Sequence, residues 1–259
     1  VNGIIDLGIV QVAIAYVFVL IVIAIVRIRK INREKEIIIS SIRMTLQLVL
    51  TGYFLVYVFQ NPSPLITAGI ILLMEAFAIH TIFKKFKGKL SASLKRNIAI
   101  SMSIGTLSCL IYFLFAVVRI APWYSPQYFI PISGMLIGNS MTGVSLGTKS
   151  LIEGMSTQKN LIEESLILGA TPQVASRSII NSTFDAAIMP TINSMVGMGI
   201  VFLPGMMTGQ ILSGITPTTA IAYQIAIMLG ILGSVALTVI LMLQLGYRTF
   251  FNEEAQLQQ

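Results

Sequence analysis

Charge is scarce in this sequence. Asp, Glu, Lys and Arg make up 10% of its 259 residues, where a soluble domain carries about 25%. Hydrophobic residues make up 55%. A soluble fold must cover its surface with polar side chains, and this chain does not carry enough of them. The surplus apolar surface therefore faces lipid. Cysteine is almost absent as well. Cys109 stands alone within an apolar run, which excludes an intrachain disulfide and a cysteine-built zinc site. His80 is the single histidine, and no group of His, Cys and carboxylate occurs at metal-ligand spacing. A nucleotide site is missing too. A P-loop requires a lysine directly after its second glycine. The nearest approach, Gly143 and Gly147 before Thr148-Lys149-Ser150, does not place one there.

Long apolar runs dominate what is present. A helix needs about 20 apolar residues to cross the hydrocarbon core. On that criterion the sequence predicts an all-α, polytopic protein with about seven transmembrane helices. The spans are about Leu7–Val26, Ile37–Phe59, Leu65–Phe83, Ile98–Val118, Ile132–Ser150, Ala186–Leu212 and Thr218–Leu243. The first run is not a secretory signal, because its basic cluster follows it. Pro190 and Pro204 are expected to break the sixth span, and the tail Gln244–Gln259 is polar. No internal repeat or low-complexity segment is visible, so the chain reads as one transmembrane domain over residues 1–259.

The net charge of +7 could suggest a nucleic-acid partner. Its placement argues for a membrane instead. Eleven of the 17 Lys and Arg residues lie in two patches, Arg27–Lys35 and Lys84–Arg96, each flanked by apolar runs. Loops after the odd-numbered spans hold 15 basic residues and the alternate loops only Arg119, with Arg43 set aside as intramembrane. Basic residues in short loops stay cytoplasmic, so the N-terminus is expected outside and the C-terminus in the cytoplasm. Trp123, Tyr124 and Tyr128 suit the opposite interface.

One cytoplasmic stretch, about 151–185, is polar and amphipathic. Ser156 or Thr157 is expected to cap a helix running to about Leu168, with Glu163 and Glu164 exposed. Gly169 supplies a left-handed stop. Thr171-Pro172 restarts a helix, with threonine as cap and proline at its first position. Leu161, Leu166, Ile167, Val174, Ile179 and Ile180 give the pair apolar faces.

The stretch EESLILGATP, residues 163–172, resembles the coupling motif of ABC transporter permeases, whose pattern is E-A-A, three residues, then G. Glu163 and Gly169 hold the spacing. Glu164 and Ser165 depart from it, and Pro190 comes too late to continue the importer pattern. A wider set of segments carries a closer resemblance: IRMTLQL (42–48), MEAF (74–77), PISGMLIGNSMTGVSL (131–146) and INSMVGMGIVFLPGMMTGQILSG (192–214). Together they resemble the FetB-type iron-export permease family, which includes plant aluminium-tolerance membrane subunits. The resemblance implies a multi-pass permease of the inner (plasma) membrane. It implies a homodimer that pairs with a cytoplasmic ATPase and exports iron or a related metal. ATP and Mg would sit on that partner, with no cofactor on this chain and no catalytic residue. Residues 163, 164 and 169–172 (Glu163, Glu164, Gly169, Ala170, Thr171 and Pro172) would then form the ATPase-coupling site.

Polar residues within spans are the candidates for touching substrate, because each is costly in lipid. Glu75 either pairs with Arg43 and locks two helices, or forms a cation or proton site. Asn139 and Ser140 in the fifth span, and Asn193, Pro204, Gly205 and Gln210 in the sixth, are either packing glue or pathway lining. Phe202–Gln210 is a candidate gate, since a broken helix is tolerated only where protein or water satisfies its backbone. Met198, Met206 and Met207 could add soft ligands beside Glu75, although membrane methionine also serves as flexible packing. A proton- or ion-coupled secondary transporter working through Glu75 is the rival reading. It usually shows inverted repeats, which are missing. An intramembrane enzyme would need a nucleophile with a base, or a metal pair, which one interfacial histidine does not supply.

Overall fold

The computed structural model describes residues 7–257. Among them all regular structure is helical, and the only β pairing is two isolated bridges, Met198–Phe202 and Phe251–Leu257. In chain order the helices are α1 (Ile9–Ala15), α2 (Val17–Ile28), α3 (Glu34–Gln60), α4 (Pro64–Lys85) and α5 (Ala92–Tyr112). A π-helical turn, Phe113–Val118, extends α5. There follow α6 (Pro126–Thr157), α7 (Lys159–Ile167), α8 (Pro172–Ala175), α9 (Arg177–Gly197), α10 (Gly205–Leu212) and α11 (Pro217–Gly246), with a 3-10 turn at Tyr247–Phe250.

Six of the described helical stretches are long and apolar enough to cross a membrane: Ile9–Ile28, Glu34–Gln60, Pro64–Lys85, Ala92–Val118, Pro126–Thr157 and Pro217–Phe250. They match six of the spans expected from sequence. The expected sixth span, Ala186–Leu212, is not one helix. α9 ends at Gly197 and α10 begins at Gly205. Pro190 sits inside α9 without ending it. The break comes instead at 198–204, where Gly199 adopts φ +84° and its N–H donates to the Phe202 carbonyl at 2.9 Å. The resulting hook folds back on the helix end. A Cβ on Gly197 would lie 3.1 Å from the Phe202 ring. Pro204 opens α10, its carbonyl accepting from the Thr208 N–H and hydroxyl at 2.9 and 3.1 Å.

The chain forms two compact units. One holds Val1–Pro62 with Leu212–Ile215, and the other holds Ser63–Ile211 and Thr216–Gln259. In the first, Tyr16 separates α1 from α2 and its hydroxyl bonds to Thr45 of α3. Otherwise these helices are open. Val58 is the buried residue of α3, and α1 and α2 have none.

The second unit is built around α11, which packs on α5, α6 and α9. Its buried positions Ala220, Gln224, Ile227, Ile231, Ser234, Thr238 and Met242 recur every three or four residues, so one stripe faces the bundle. Small residues let the neighbours close in. A Cβ on Gly105 would sit 2.7 Å from the Thr238 Cα, so α5 and α11 touch backbone to backbone there. On α6, a Cβ at Gly143 would meet Val235 Cγ1 at 2.8 Å, and one at Gly147 would meet Met242 Cε at 2.9 Å and Ala187 Cβ at 3.5 Å. Gly143 and Gly147 thus mark the crossing of α6, α9 and α11. Asn97 Nδ2 donates to the Leu245 carbonyl at 2.8 Å and ties α5 to the end of α11.

The tail is less free than its polarity suggests. Tyr247 is buried, and Phe250, Phe251 and Leu257 pack on the core. The last two residues, 258 and 259, lie outside the described ones.

Candidate functional site

Glu75 sits near the middle of α4, inside the second unit, and is 4% exposed. Its Oε2 accepts from the Thr106 hydroxyl of α5 at 2.9 Å. That same hydroxyl reaches the Met102 carbonyl at 2.6 Å. A threonine hydroxyl has one proton, so it can serve one of these acceptors at a time. Oε1 of Glu75 has no hydrogen-bond partner among the described residues. A buried carboxyl short of donors is a place for a proton, a cation or an ordered water. Three neutral buried oxygens of the same unit are likewise unpartnered among the described residues: Thr148 Oγ1, Gln224 Oε1 and Thr238 Oγ1. Thr238 abuts Gly105, the residue before Thr106. The bundle around Glu75 is therefore more polar inside than a lipid-packed scaffold requires.

Arg43 belongs to the first unit and is exposed on α3. The partner seen at the Glu75 carboxylate is Thr106, which no sequence pattern singles out. His80 is exposed on α4. Ser140 is fully buried and bonds across to Ser234 of α11 at 2.9 Å, which makes it a helix tie. Asn139 is exposed and donates Nδ2 to the Met135 carbonyl of its own helix at 2.8 Å. Asn193 is exposed on α9, and Gln210 is half-buried on α10. Met198 caps the end of α9, Met206 packs on the core and Met207 is buried. No group of three or more His, Cys, Asp or Glu able to hold a metal forms among the described residues.

The second candidate region is the stretch after α6. Neither Ser156 nor Thr157 starts a helix there, which corrects the sequence expectation. α6 continues through both, and the Thr157 hydroxyl donates back to the Glu153 carbonyl at 2.8 Å. With 32 residues the helix is about 48 Å long, more than the roughly 30 Å core needs. α7 starts after Gln158 and stops as expected at Gly169, φ +91°. The Ala170 N–H donates to the Ser165 carbonyl at 3.0 Å and the Gly169 N–H to Leu166 at 2.9 Å, the Schellman pattern. Thr171 caps α8, accepting from the Val174 N–H at 3.4 Å, and Pro172 takes the first helical position. The result is an elbow of two short helices.

The elbow has an anchored side and an open side. Ile162 (1% exposed) and Ile179 (1%) are its buried anchors. Ile179 packs on Gly154 of α6 so closely that a Cβ there would lie 2.6 Å from its Cγ2. Ile162 was not singled out in the sequence, although it sits four residues before Leu166. On the open side, Leu161, Ile167, Leu168 and Val174 are 56%, 84%, 87% and 62% exposed. A surface groove of about 470 Å³ runs between α7 and the start of α9, lined by Leu161, Val174, Arg177 and Asn181 among others. Glu164 is exposed, while Glu163 is half-exposed with Lys159 Nζ 3.7 Å from its Oε1.

Known proteins resemble this chain along nearly its full length. The family described as "Uncharacterised protein family (UPF0014)" matches residues 9–251. The "Probable iron export permease protein FetB" of Escherichia coli is 36% identical over 246 residues, covering 95% of this chain and 93% of that protein. The "UPF0014 membrane protein YjkA" of Bacillus subtilis is 35% identical, over 94% and 95% of the two chains. "Protein ALUMINUM SENSITIVE 3" of Arabidopsis thaliana is 31% identical, over 97% and 90%. No solved structure matches. Six apolar crossing helices and these membrane relatives make the chain a multi-pass membrane protein, and it belongs to the UPF0014 family.

Proposed function

We propose that this chain is the membrane-spanning permease subunit of an ABC transporter that exports iron or a related metal species. ATP would be hydrolysed, with Mg, on a separate cytoplasmic ATPase. Two permease copies and two ATPase subunits make up the complex in this reading. α9 and α10, with the 198–204 hook between them, supply the remaining membrane crossing. That gives seven passes, an external N-terminus, a cytoplasmic C-terminus and an elbow on the cytoplasmic face, in line with the basic loops. The metal cargo comes from the likeness to the iron-export relative.

The observation that carries the reading is the elbow itself. Four large apolar side chains stand exposed around the Gly169 turn while the base of the elbow is packed. An exposed apolar cluster on a water-facing surface is a docking site. Leu161, Ile167, Leu168 and Val174 would enter a cleft of the ATPase, with Glu164 and Glu163 meeting basic residues at the rim. Lys159 already competes for Glu163, so Glu164 carries more of that contact. Movement of the elbow reaches α6 through Gln158 and α9 through the buried Ser176, and both helices lead to the Gly143/Gly147 crossing.

The rival reading is a proton- or ion-coupled carrier, favoured by the partner-poor Oε1 of Glu75. Purification with and without a co-expressed ABC ATPase separates the two. Co-purification, with Glu163→Lys/Glu164→Lys abolishing ATP-dependent export but not membrane insertion, is the expected result. Transport by the chain alone in proteoliposomes, without ATP, would sink the ABC reading.

A further inference from the structure

A groove between α5 and α11 is not used by the functions above. It holds about 650 Å³ within the second unit, with Cys109, Phe113 and Val117 on one wall and Ala222, Gly233 and Leu237 on the other. Gly230 brings the walls together at the floor, where a Cβ would lie 2.8 Å from the Phe113 ring. At Gly233 a Cβ would meet nothing within 4 Å, so the trench is open above that position. The lining is apolar. Even the Ser108 hydroxyl at one end turns back to its own helix, donating to the Ile104 carbonyl at 2.5 Å. Part of the α5 wall is the π-helical turn Phe113–Val118, a rare element found frequently at functional sites.

Position and charge choose the occupant. Ser108 and Val117 stand about 14 Å apart along α5, close to half of the roughly 30 Å hydrocarbon core. They lie towards the end of the Ala92–Val118 span, so the groove belongs to the leaflet away from the basic loop Lys84–Arg96. On the side of that loop it closes where Gly105 meets Thr238 backbone to backbone. A helix of a second copy would need a face running through both leaflets, whereas an alkyl chain needs only one. Arg119 comes two residues after Val117, at most about 7 Å along the chain from that end of the groove. It is exposed and joins no ion pair among the described residues. No Asp or Glu occurs from 76 to 152 or from 186 to 252, which takes in all of α5 and α11 and most of α6. The guanidinium therefore lacks a protein carboxylate there and suits a phosphate, which it can hold through two N–H groups. A choline or ammonium headgroup would find no anion of its own on these helices.

We infer that the α5–α11 groove is a binding site for one anionic phospholipid of the bilayer. An acyl chain lies in the trench over Gly230 and Gly233, against the π-turn, and the phosphate sits on Arg119. The bound lipid fills the space between the two helices. The site is separate from the elbow and from Glu75, and it depends on neither reading of the transport mechanism.

A phosphatidylglycerol with a diazirine in its tail tests this on the full-length chain in nanodiscs. Photolysis should place adducts on residues 108–117 and 222–237 in preference to the exposed faces of α2, which report ordinary surrounding lipid. Native mass spectrometry then ranks headgroups. The wild-type chain should retain phosphatidylglycerol about fivefold better than phosphatidylcholine with the same tails. Arg119→Gln should bring the two to parity and leave the groove adducts in place. Gly233→Leu fills the trench from a position where its Cβ touches nothing. It should keep wild-type thermal stability in detergent and lose the groove adducts. Adducts no denser in the groove than on α2 overturn the site. An unchanged headgroup preference in Arg119→Gln overturns the phosphate contact. Cys109, the single cysteine, lies in the groove wall and tests the other occupant. A Cys109–Cys109 crosslink between two copies, formed under copper phenanthroline and undiminished by added phosphatidylglycerol, gives the groove to a second copy and overturns the lipid assignment. The wild-type adduct map and Arg119→Gln decide the matter even where Gly233→Leu fails to fold.

Discussion

Replacing Ile162 by Ala tests whether the elbow is a docked element or part of the rigid bundle. Ile162 is 1% exposed and belongs to the buried core, while most of α7 around it is open. α7 has nine residues, too few to hold a helix alone in water. Its order therefore depends on packing, and Ile162 supplies the one fully buried contact. Truncating a buried Ile to Ala costs about 2–5 kcal/mol. A loss of about 3 kcal/mol, at 1.4 kcal/mol per tenfold, lowers the docked fraction of α7 relative to the undocked by about 100-fold.

Amide hydrogen exchange in detergent or nanodiscs reads this directly. Backbone amides of α7 should exchange about 100-fold faster in Ile162→Ala, while amides of the α11 stripe keep their protection. Binding of the ATPase should weaken in the same variant. Ile167→Ser is the contrast, because Ile167 is 84% exposed. It should leave exchange unchanged and still weaken ATPase binding, through a lost contact with the partner. Wild-type exchange in Ile162→Ala would refute the anchoring argument. Equal loss of protection in α7 and α11 would refute it too, because elbow and bundle would then unfold as one unit.

Three further outcomes follow from the same geometry. Gly105→Ala pushes a Cβ to 2.7 Å from the Thr238 Cα, a backbone atom that cannot step aside, and should cost about 1–3 kcal/mol, read as a lower melting temperature in detergent. Gly169→Ala forces φ +91° on an L side chain and should cost about 1–2 kcal/mol, seen as faster exchange at the α7 end with the bundle's melting temperature unchanged. Glu75→Gln keeps the size of the side chain and an acceptor for Thr106. Transport should fall to background while thermal stability holds, whereas intact transport with lowered stability would assign Glu75 to packing.

The apolar spans were readable because a crossing helix writes its own length into composition, and the helix stops were readable because caps are local. Gly169 needs a left-handed φ and Thr171-Pro172 a cap with a first-turn proline, and each signal lies within a few residues of its effect. Partners brought together by the fold were not readable. Thr106 stands 31 residues from Glu75, and Ser234 stands 94 from Ser140. Nothing local at either end specifies the other. The proline rule misled at Pro190, where α9 is held on both sides by α6 and α11 and survives the lost hydrogen bond. Tertiary packing overrode local preference there, and the glycines at 197 and 199 ended the helix instead. The length of α6 was hidden for the opposite reason. Residues 151–157 are too polar for a membrane span but entirely fit for a helix, so the span criterion stopped before the helix did.

These packing differences decide which parts of the second unit can move. α11 is locked to α5 by the Gly105–Thr238 contact and to α6 by the Ser140–Ser234 bond. α9 is gripped at its start, where Ile179 sits on Gly154, and near its middle, where Ala187 meets Gly147. Beyond Ala187 it carries a proline, and beyond Gly197 it becomes a hook whose Ile200 and Val201 are 91% and 80% exposed. Stiffness therefore falls along α9 away from the elbow. The chain's tail reinforces the stiff end, since the Tyr247–Phe250 turn packs against α8. A push on the elbow would be carried by braced, close-packed helix as far as the α6 crossing and released in the exposed hook beyond the helix end. In the proposed permease that segment, 198–204, is where a change in access would be expressed, while the Glu75–Thr106 pair stays within the part that does not yield.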